Sequence, residues 1–483
     1  MSCYPLGMLA LLLACQPTAL VSSDTSAPDT IDPTDTESPS SDSGVPVAEE
    51  FLTWRTHDTI GSLVYVTWEQ AATATGAVEY RFDADWVSTP PRTFSAGAQE
   101  ELLLGIPYDT DVEIRLVTDT VTSDIIEAET EDHPSGMPIP EFVSGEPDRW
   151  LAEGKYLYTS INGSVGGWTG GDYWKVILDR QARVVWAMKT PGEHWTIWTR
   201  VSYDGDDLMW DDSTVWVWGS AEESQVHRMK IDGTITESYT TPGLHHAWDE
   251  LSDGSLIWGN IINNNEELLD KLHPDGTTET LWRCSDFEVE QLGQTGYSCH
   301  SNSWWWHEES GTFIVSFPSS AGMVKDTVLH MDSQGNTLST WGRLSDWTFA
   351  DEQHTFDYQH GVTFTPDGNL LLSTKMHESN PYYTPWLDTL AVREYTMDYE
   401  TKTLTEVFSF GEDQGIAGNT AGEAHRLENG NTLHNYGSGA RTREIAADGT
   451  LAWDIKWSGG DSEGSGRLQG RSSFLSDLYV FAP

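Results

Sequence analysis

Glycine-centred turn signals, mostly Asp-Gly or Asn-Gly, recur through the last two-thirds of this 483-residue chain, each between short alternating apolar stretches. Such dipeptides supply the backbone that a tight hairpin loop requires, so they mark antiparallel strand pairs. They fall into two series. One holds SDGSLIWGN (252–260), ESGTFIVSF (309–317), PDGNLLLST (366–374) and ENGNTLHNYG (428–437). The other holds KIDGTITESY (230–239), HPDGTTETLW (273–282), DSQGNTLSTWG (332–342) and AADGTLAWDIKW (446–457). Members of the first series lie about 55 to 62 residues apart, and several strands per unit at that period mark a β-propeller. About 340 residues divided by the period gives six units. Two earlier units are expected over 152–190 and 194–240, and GRSSFLSDLYVF near the end is a candidate for the strand that closes the ring. No segment has the period of a long amphipathic helix. The 23 Trp fit the cores of such blades.

The sequence predicts an all-β chain: a six-bladed β-propeller over 143–483, preceded by a small β-sandwich over 49–133 and an acidic disordered tether over 16–48. In the sandwich, SLVYVTWEQ, GAVEYRFDADW and DVEIRLVTDT alternate with the strand period. Trp68 as core tryptophan and the segment Ile106-Pro107-Tyr108-Asp109-Thr110 resemble a fibronectin type III domain, with Val112 where that family has its corner tyrosine. HPSGMPIPEF (133–142) reads as a linker. The tether is rich in Ser, Thr, Pro and Asp and holds too little apolar surface to fold. Residues 1–15 read as a lipoprotein-type signal. The apolar run Leu6–Ala14 is too short to span a bilayer, and Leu12-Leu13-Ala14-Cys15 resembles the bacterial lipobox, in which Cys15 takes the lipid. No Lys or Arg precedes Arg55. The expectation is an exported outer-membrane lipoprotein facing the periplasm or the cell surface, attached by its lipid anchor only. In such a compartment Cys284 and Cys299 are expected to form a disulfide.

With 26 Lys and Arg against 76 Asp and Glu, the net charge is −50. That excludes nucleic acid as a non-specific partner and disfavours anionic lipid surfaces. Neither a Walker loop nor a dinucleotide fingerprint occurs. The acidic turns DGDD (204–207) and Asp211-Asp212 raise structural Ca²⁺, but they miss the EF-hand pattern and read as solvated turns.

Three histidines stand in equivalent places. His246 lies eight residues before Gly254, His360 eight before Gly368, and His300 eleven before Gly311. Each therefore falls at the start of the first strand of its unit, where side chains from different blades converge at the mouth of a central channel. His245 would point the other way in a regular strand. His425 lies only five residues before Gly430, out of register with the others, and His307 falls in a hairpin. Three imidazoles suit zinc. Nothing else in the sequence supports a metal, and none is expected.

The segments HHAWDELSDGSLIWG, HSNSWWWHEESGTFIVSF, QHGVTFTPDGNLLLS and HRLENGNTLHNYGSGARTREIAADGTLAWDIKW resemble the arylsulfotransferase (arylsulfate sulfotransferase) family, in its order, across 245–457. The resemblance implies a six-bladed propeller that moves a sulfuryl group between phenols through a transiently sulfated histidine, with no nucleotide donor and no cofactor. It assigns His360, His300 and His246 as catalytic, with His360 taking the sulfuryl group, and His245, Asn302 and Gln359 as substrate-binding. Its implied partners are a small aryl sulfate and a phenol. Where the family has a Ser-Arg pair, this chain has Ser316-Phe317, so the cation for the sulfonate oxygens must come from elsewhere. Lys325, Lys375 and Arg441 are the candidates. The alternative is a non-catalytic cell-surface propeller that binds a glycan, a protein or a sulfated small molecule.

Overall fold

In a computed structural model the chain is all-β, and the structure describes residues 52–165, 172–192, 194–214, 223–261, 266–287, 299–317, 326–375, 389–418, 420–459 and 467–483. The signal with Cys15, the tether 16–48 and Lys325 lie outside the described residues.

Among the described residues, six sheets follow one another from residue 156 onward, each built mainly of antiparallel hairpins. The first joins Tyr156–Asn162, Tyr173–Asp179 and Val184–Lys189 to the C-terminal strand Gln469–Leu475. The second holds Thr199–Val201, Leu208–Asp212, Gln225–Met229 and Ile235–Thr240. The third holds Leu244–Glu250, Leu256–Asn260, Leu268–Leu272 and Thr278–Arg283. The fourth holds Ser303–His307, Thr312–Phe317, Thr327–Asp332 and Thr337–Gly342. The fifth holds Val362–Phe364, Leu370–Lys375, Leu390–Asp398 and Thr403–Phe410, with Thr348–Phe349 added in parallel. The sixth holds Glu423–Arg426, Thr432–Asn435, Arg441–Ile445 and Leu451–Trp457, with Pro140–Gly145 on its edge.

Both turn series recur here as predicted. The first series joins the first and second strands of a sheet, and the second joins the third and fourth. Gly254 (φ 78°) and Gly276 (φ 84°) are examples, in the left-handed region open to glycine. The first strands of the third to sixth sheets touch in succession, and the C-terminal strand touches the first strand of the second sheet. Tryptophans fill the seams: Trp248, Trp258, Trp282 and Trp304 share one apolar cluster with Phe317. Burying each such side chain contributes about 1.5–3 kcal/mol. The segment read as a linker becomes a strand from Pro140, which pairs with Trp457. A proline is tolerated there because a first strand residue on an edge need not donate its N–H.

Upstream, two further sheets enclose a separate core. One holds Thr53–Thr56, Val64–Gln70 and Gly97–Leu103; the other holds Ala74–Arg81, Val87–Ser88, Arg92–Phe94, Asp111–Thr118 and Ile126–Glu129. Val64, Val66, Trp68, Val78, Tyr80, Val112 and Ile114 pack between them. This part contacts the first of the six sheets: the Tyr108 N–H donates to the Val184 carbonyl at 3.1 Å.

The acidic turns differ from expectation. Asp204 and Asp206 are exposed, but Asp207 and Asp211 are buried. Asp204 and Asp207 face Arg228, and Asp207 also faces Lys230. Asp211 accepts the N–H groups of Ile197 and Trp198. These carboxylates are thus compensated by the chain itself. Among the described residues no helix is long and apolar enough to cross a membrane.

Candidate active site

The site begins with an irregularity. Leu244 pairs with Asn260 and Trp248 with Trp258, so His245, His246 and Ala247 stand opposite Gly259 alone. The extra residues must bulge, and His246 takes φ 59°, which is uncommon for any residue but glycine. The bulge breaks the alternation of a strand. His245 therefore does not point away from His246; their ring centroids lie 5.0 Å apart, and that of His245 lies 5.3 Å from His300. Gly259 is required beneath the bulge. A Cβ there would lie 2.6 Å from the Trp304 indole nitrogen.

His300 arrives from the next sheet. It follows Cys299, whose disulfide to Cys284 is formed, with Cα atoms 5.9 Å apart. That cross-link ties the segment carrying His300 to the end of the third sheet and contributes roughly 3 kcal/mol on the loop-entropy account. The Nε2 atoms of His246 and His300 lie 2.9 Å apart, so one ring carries its proton there and the other accepts it. Behind them, Glu267 is fully buried. Its Oε2 lies 3.1 Å from His245 Nε2, and its Oε1 accepts the Ser301 hydroxyl at 2.5 Å.

His360 is set by contacts from the fourth and sixth sheets. Tyr358, at φ 48°, donates its N–H to Asp326 Oδ1 at 2.7 Å. Gln359 is buried, and its amide nitrogen donates to the carbonyls of Phe317 and Thr327. Asn302 Nδ2 and the Ser316 hydroxyl both donate to the Gln359 carbonyl. The side-chain nitrogens of Asn302 and Gln359 thus hold backbone in place, satisfying carbonyls inside the fold. The Gly361 N–H donates to the Gly422 carbonyl at 2.7 Å.

Among the described residues, Lys375 and Arg471 are cations that act on His360. Lys375 ends the second strand of the fifth sheet and sits over the Tyr358 ring at 4.0 Å. Arg471 comes from the C-terminal strand and was not singled out from sequence. It is buried, stacks on Trp198 at 3.5 Å, and donates to the Asn302 carbonyl at 3.1 Å. Its Nε lies 3.8 Å from Glu423. Burial lowers its pKa to about 10, so it remains charged at neutral pH. Arg441, by contrast, is committed to a two-pronged pair with Asp454. His425 hydrogen-bonds Glu423 at 2.9 Å, packs on Trp305, and lines a cavity of about 310 Å³ with Trp198, Arg200 and Arg471. His307 binds Ser310 in its hairpin.

Burial, then the charges of His300, His245, His360 and Arg471, hold His246 well below the ordinary 6.5. Burial and the charge of His245 bring His300 to about 4, against the pull of Glu267. Burial, Lys375 and Arg471 bring His360 to about 3. These rings are neutral at pH 7, the form that acts as a nucleophile. The folded values lie below the unfolded one, so the unfolded chain takes up protons first on acidification. The stability tied to these rings is complete above about pH 6.5 and is lost as pH falls toward the folded values. An NMR titration is expected to leave the ring resonances of His300 and His360 unshifted between about pH 8 and pH 5.5; an inflection near the model-peptide value would show solvated rings.

A family model described as Arylsulfotransferase (ASST) matches residues 319–458. That span includes Gln359, His360 and Lys375; it begins after His300 and ends before Arg471. No curated protein matches the chain in sequence. Among solved structures, a protein of unknown function from Bacteroides caccae is similar at TM-score 0.40 and 12% identity, over 65% of this chain and 98% of that one. A virginiamycin B lyase from Staphylococcus aureus gives TM-score 0.37 and 8% identity over 63% and 86%. A putative 6-phosphogluconolactonase from Bacteroides fragilis gives TM-score 0.37 and 11% identity over 83% and 98%. The family match supports the arylsulfotransferase family for this chain, through the stretch that carries His360.

Proposed function

We propose that the chain is an exported arylsulfotransferase-like enzyme built as a six-bladed propeller, with the upstream sheets as a fibronectin type III-like spacer and Cys15 as a lipid anchor. The observation that carries the reading is the pairing of neutral imidazoles, His246 and His360 buried and His300 half-buried, with two cations. His246, His300 and His360 come from three successive sheets, and Lys375 and Arg471 lie close enough to depress His360. The chain is strongly acidic overall, yet two cations stand beside His360, which favours an anionic donor there.

In the first half-reaction the His360 lone pair attacks sulfur, the S–O bond to the aryl group breaks, and its electron pair leaves on the phenolate oxygen. The hydrogen-bonded His246–His300 pair stays neutral and relays to that oxygen the proton that the sulfated His360 ring gives up from its other nitrogen. In the second half-reaction the same pair relays the proton of the acceptor phenol back to the His360 ring, as the phenol oxygen attacks sulfur and the S–N bond breaks. Lys375 and Arg471 replace the arginine absent after Ser316 and compensate the sulfonate oxygens. No nucleotide or metal takes part. With an aryl sulfate and no acceptor, mass spectrometry of the peptide bearing His360 is expected to find one added sulfuryl group, removed when phenol is supplied. Binding of the aryl sulfate without this adduct would favour a non-catalytic surface module instead.

A further inference from the structure

Three imidazoles meet at the bulge, but they are not the three that the resemblance groups as catalytic. His245, His246 and His300 each offer a ring nitrogen, and these nitrogens all lie within 4.8 Å of one another. We propose that they form a binding site for a single zinc ion, separate in composition from the sulfuryl-accepting His360. A set of three imidazoles selects Zn²⁺ over Ca²⁺ or Mg²⁺, which need oxygen ligands. Nitrogens at ~2.0–2.1 Å around a tetrahedral ion lie roughly 3.3 Å apart. The 2.9 Å His246–His300 contact therefore opens by a few tenths of an ångström, and the widest separation closes by roughly 1.5 Å at most, within reach of ring rotation.

The surroundings complete the site. Glu267 faces His245 Nε2 at 3.1 Å, the carboxylate–histidine contact that orients a metal ligand. Trp304 Nε1 donates to the Ser301 hydroxyl, and Ser301 to Glu267, so the carboxylate is held in turn. Glu267 also supplies the negative charge that a dication in a buried place requires. A water or a sulfonate oxygen takes the fourth position. One consequence rests on the proposed transfer reaction: zinc takes the lone pairs of His246 and His300 that the transfer needs, so the zinc-loaded and transfer-competent states exclude each other. Arg471 opposes a cation at His246, so Arg471→Met is expected to tighten zinc at least ~10-fold while weakening transfer.

The test uses the full chain purified without a histidine tag, stripped with chelator and dialysed against Zn²⁺. One tightly bound ion per chain is expected, with the visible absorption of tetrahedral cobalt when Co²⁺ is used. His300→Gln and His246→Asn are expected to lose it, and asparagine tolerates the left-handed backbone at 246. Glu267→Gln is expected to weaken it ~10–100-fold. His360→Asn is expected to keep it. Binding that is absent, or unchanged in His300→Gln and Glu267→Gln with circular dichroism intact, overturns the site. Transfer by the metal-free protein is read separately, so failure of the zinc site leaves the transferase reading standing, and the reverse holds too.

Discussion

Replacing His360 by Asn is expected to lower sulfuryl transfer from an aryl sulfate to a phenol by about 10⁴–10⁶-fold, the range seen when a covalent nucleophile is removed. Asparagine keeps a polar group of similar reach near the Tyr358 backbone but cannot form the S–N bond. The fold should survive, because the residues that shape this turn are others. Gln359 clamps it to Phe317 and Thr327, Asp326 holds Tyr358, and Gly361 meets Gly422. The measurement is steady-state transfer together with the burst of phenol released before turnover. Both should vanish, while binding of the donor, read by calorimetry, changes little because Lys375 and Arg471 remain. A variant that retains a tenth of the activity would remove His360 from the chemistry and leave at most a role in binding.

The histidines show where sequence reasoning reached and where it stopped. Hairpin turns are local: a few residues and one glycine set them, so both series were visible as dipeptides and reappear between the expected strands. His246, His300 and His360 could be aligned by counting back from those turns. His245 was expected to point away from His246, because strand alternation sends neighbours to opposite faces, and only the pairing of Leu244 with Asn260 and Trp248 with Trp258 reveals the bulge that gathers both rings. Glu267 lies 22 residues beyond His245 and reaches it only because the third strand of that sheet begins just after it. The last strand was legible as GRSSF, but what its arginine faces is decided by the pairing of Gln469–Leu475 with Tyr156–Asn162, more than 300 residues away in the chain. What the amide nitrogens of Asn302 and Gln359 bind was hidden for a related reason. A motif gives the residue type, whereas the unsatisfied carbonyls around it decide where an amide nitrogen goes.

Arg471 carries the second large effect. Replacement by Met is expected to lower transfer by about 10²–10³-fold, the cost of losing one donor aimed at charge that develops in the transition state. The loss should fall mainly on kcat, since Lys375 still attracts the donor. One complication is structural: Arg471 also faces Glu423, and its removal leaves that buried carboxylate with fewer partners. Glu423 keeps the N–H of Ser472 at 2.7 Å and His425 at 2.9 Å, which limits the damage. The double variant Arg471→Met with Glu423→Gln removes both charges and separates the two effects. If the loss of rate comes from transition-state charge, the double variant is as slow as the single one although its thermal midpoint recovers. If it comes from the stranded carboxylate, rate and midpoint recover together. Arg471→Lys should fall between wild type and Met, because an ammonium keeps the charge but loses the planar fork that can span two sulfonate oxygens. Removal of the guanidinium also takes away one of the cations that depress His360, so the pKa of that ring should rise from about 3 in Arg471→Met. A rate loss with no movement of that titration would place Arg471 away from the sulfuryl group and return the missing cation to Lys375 alone.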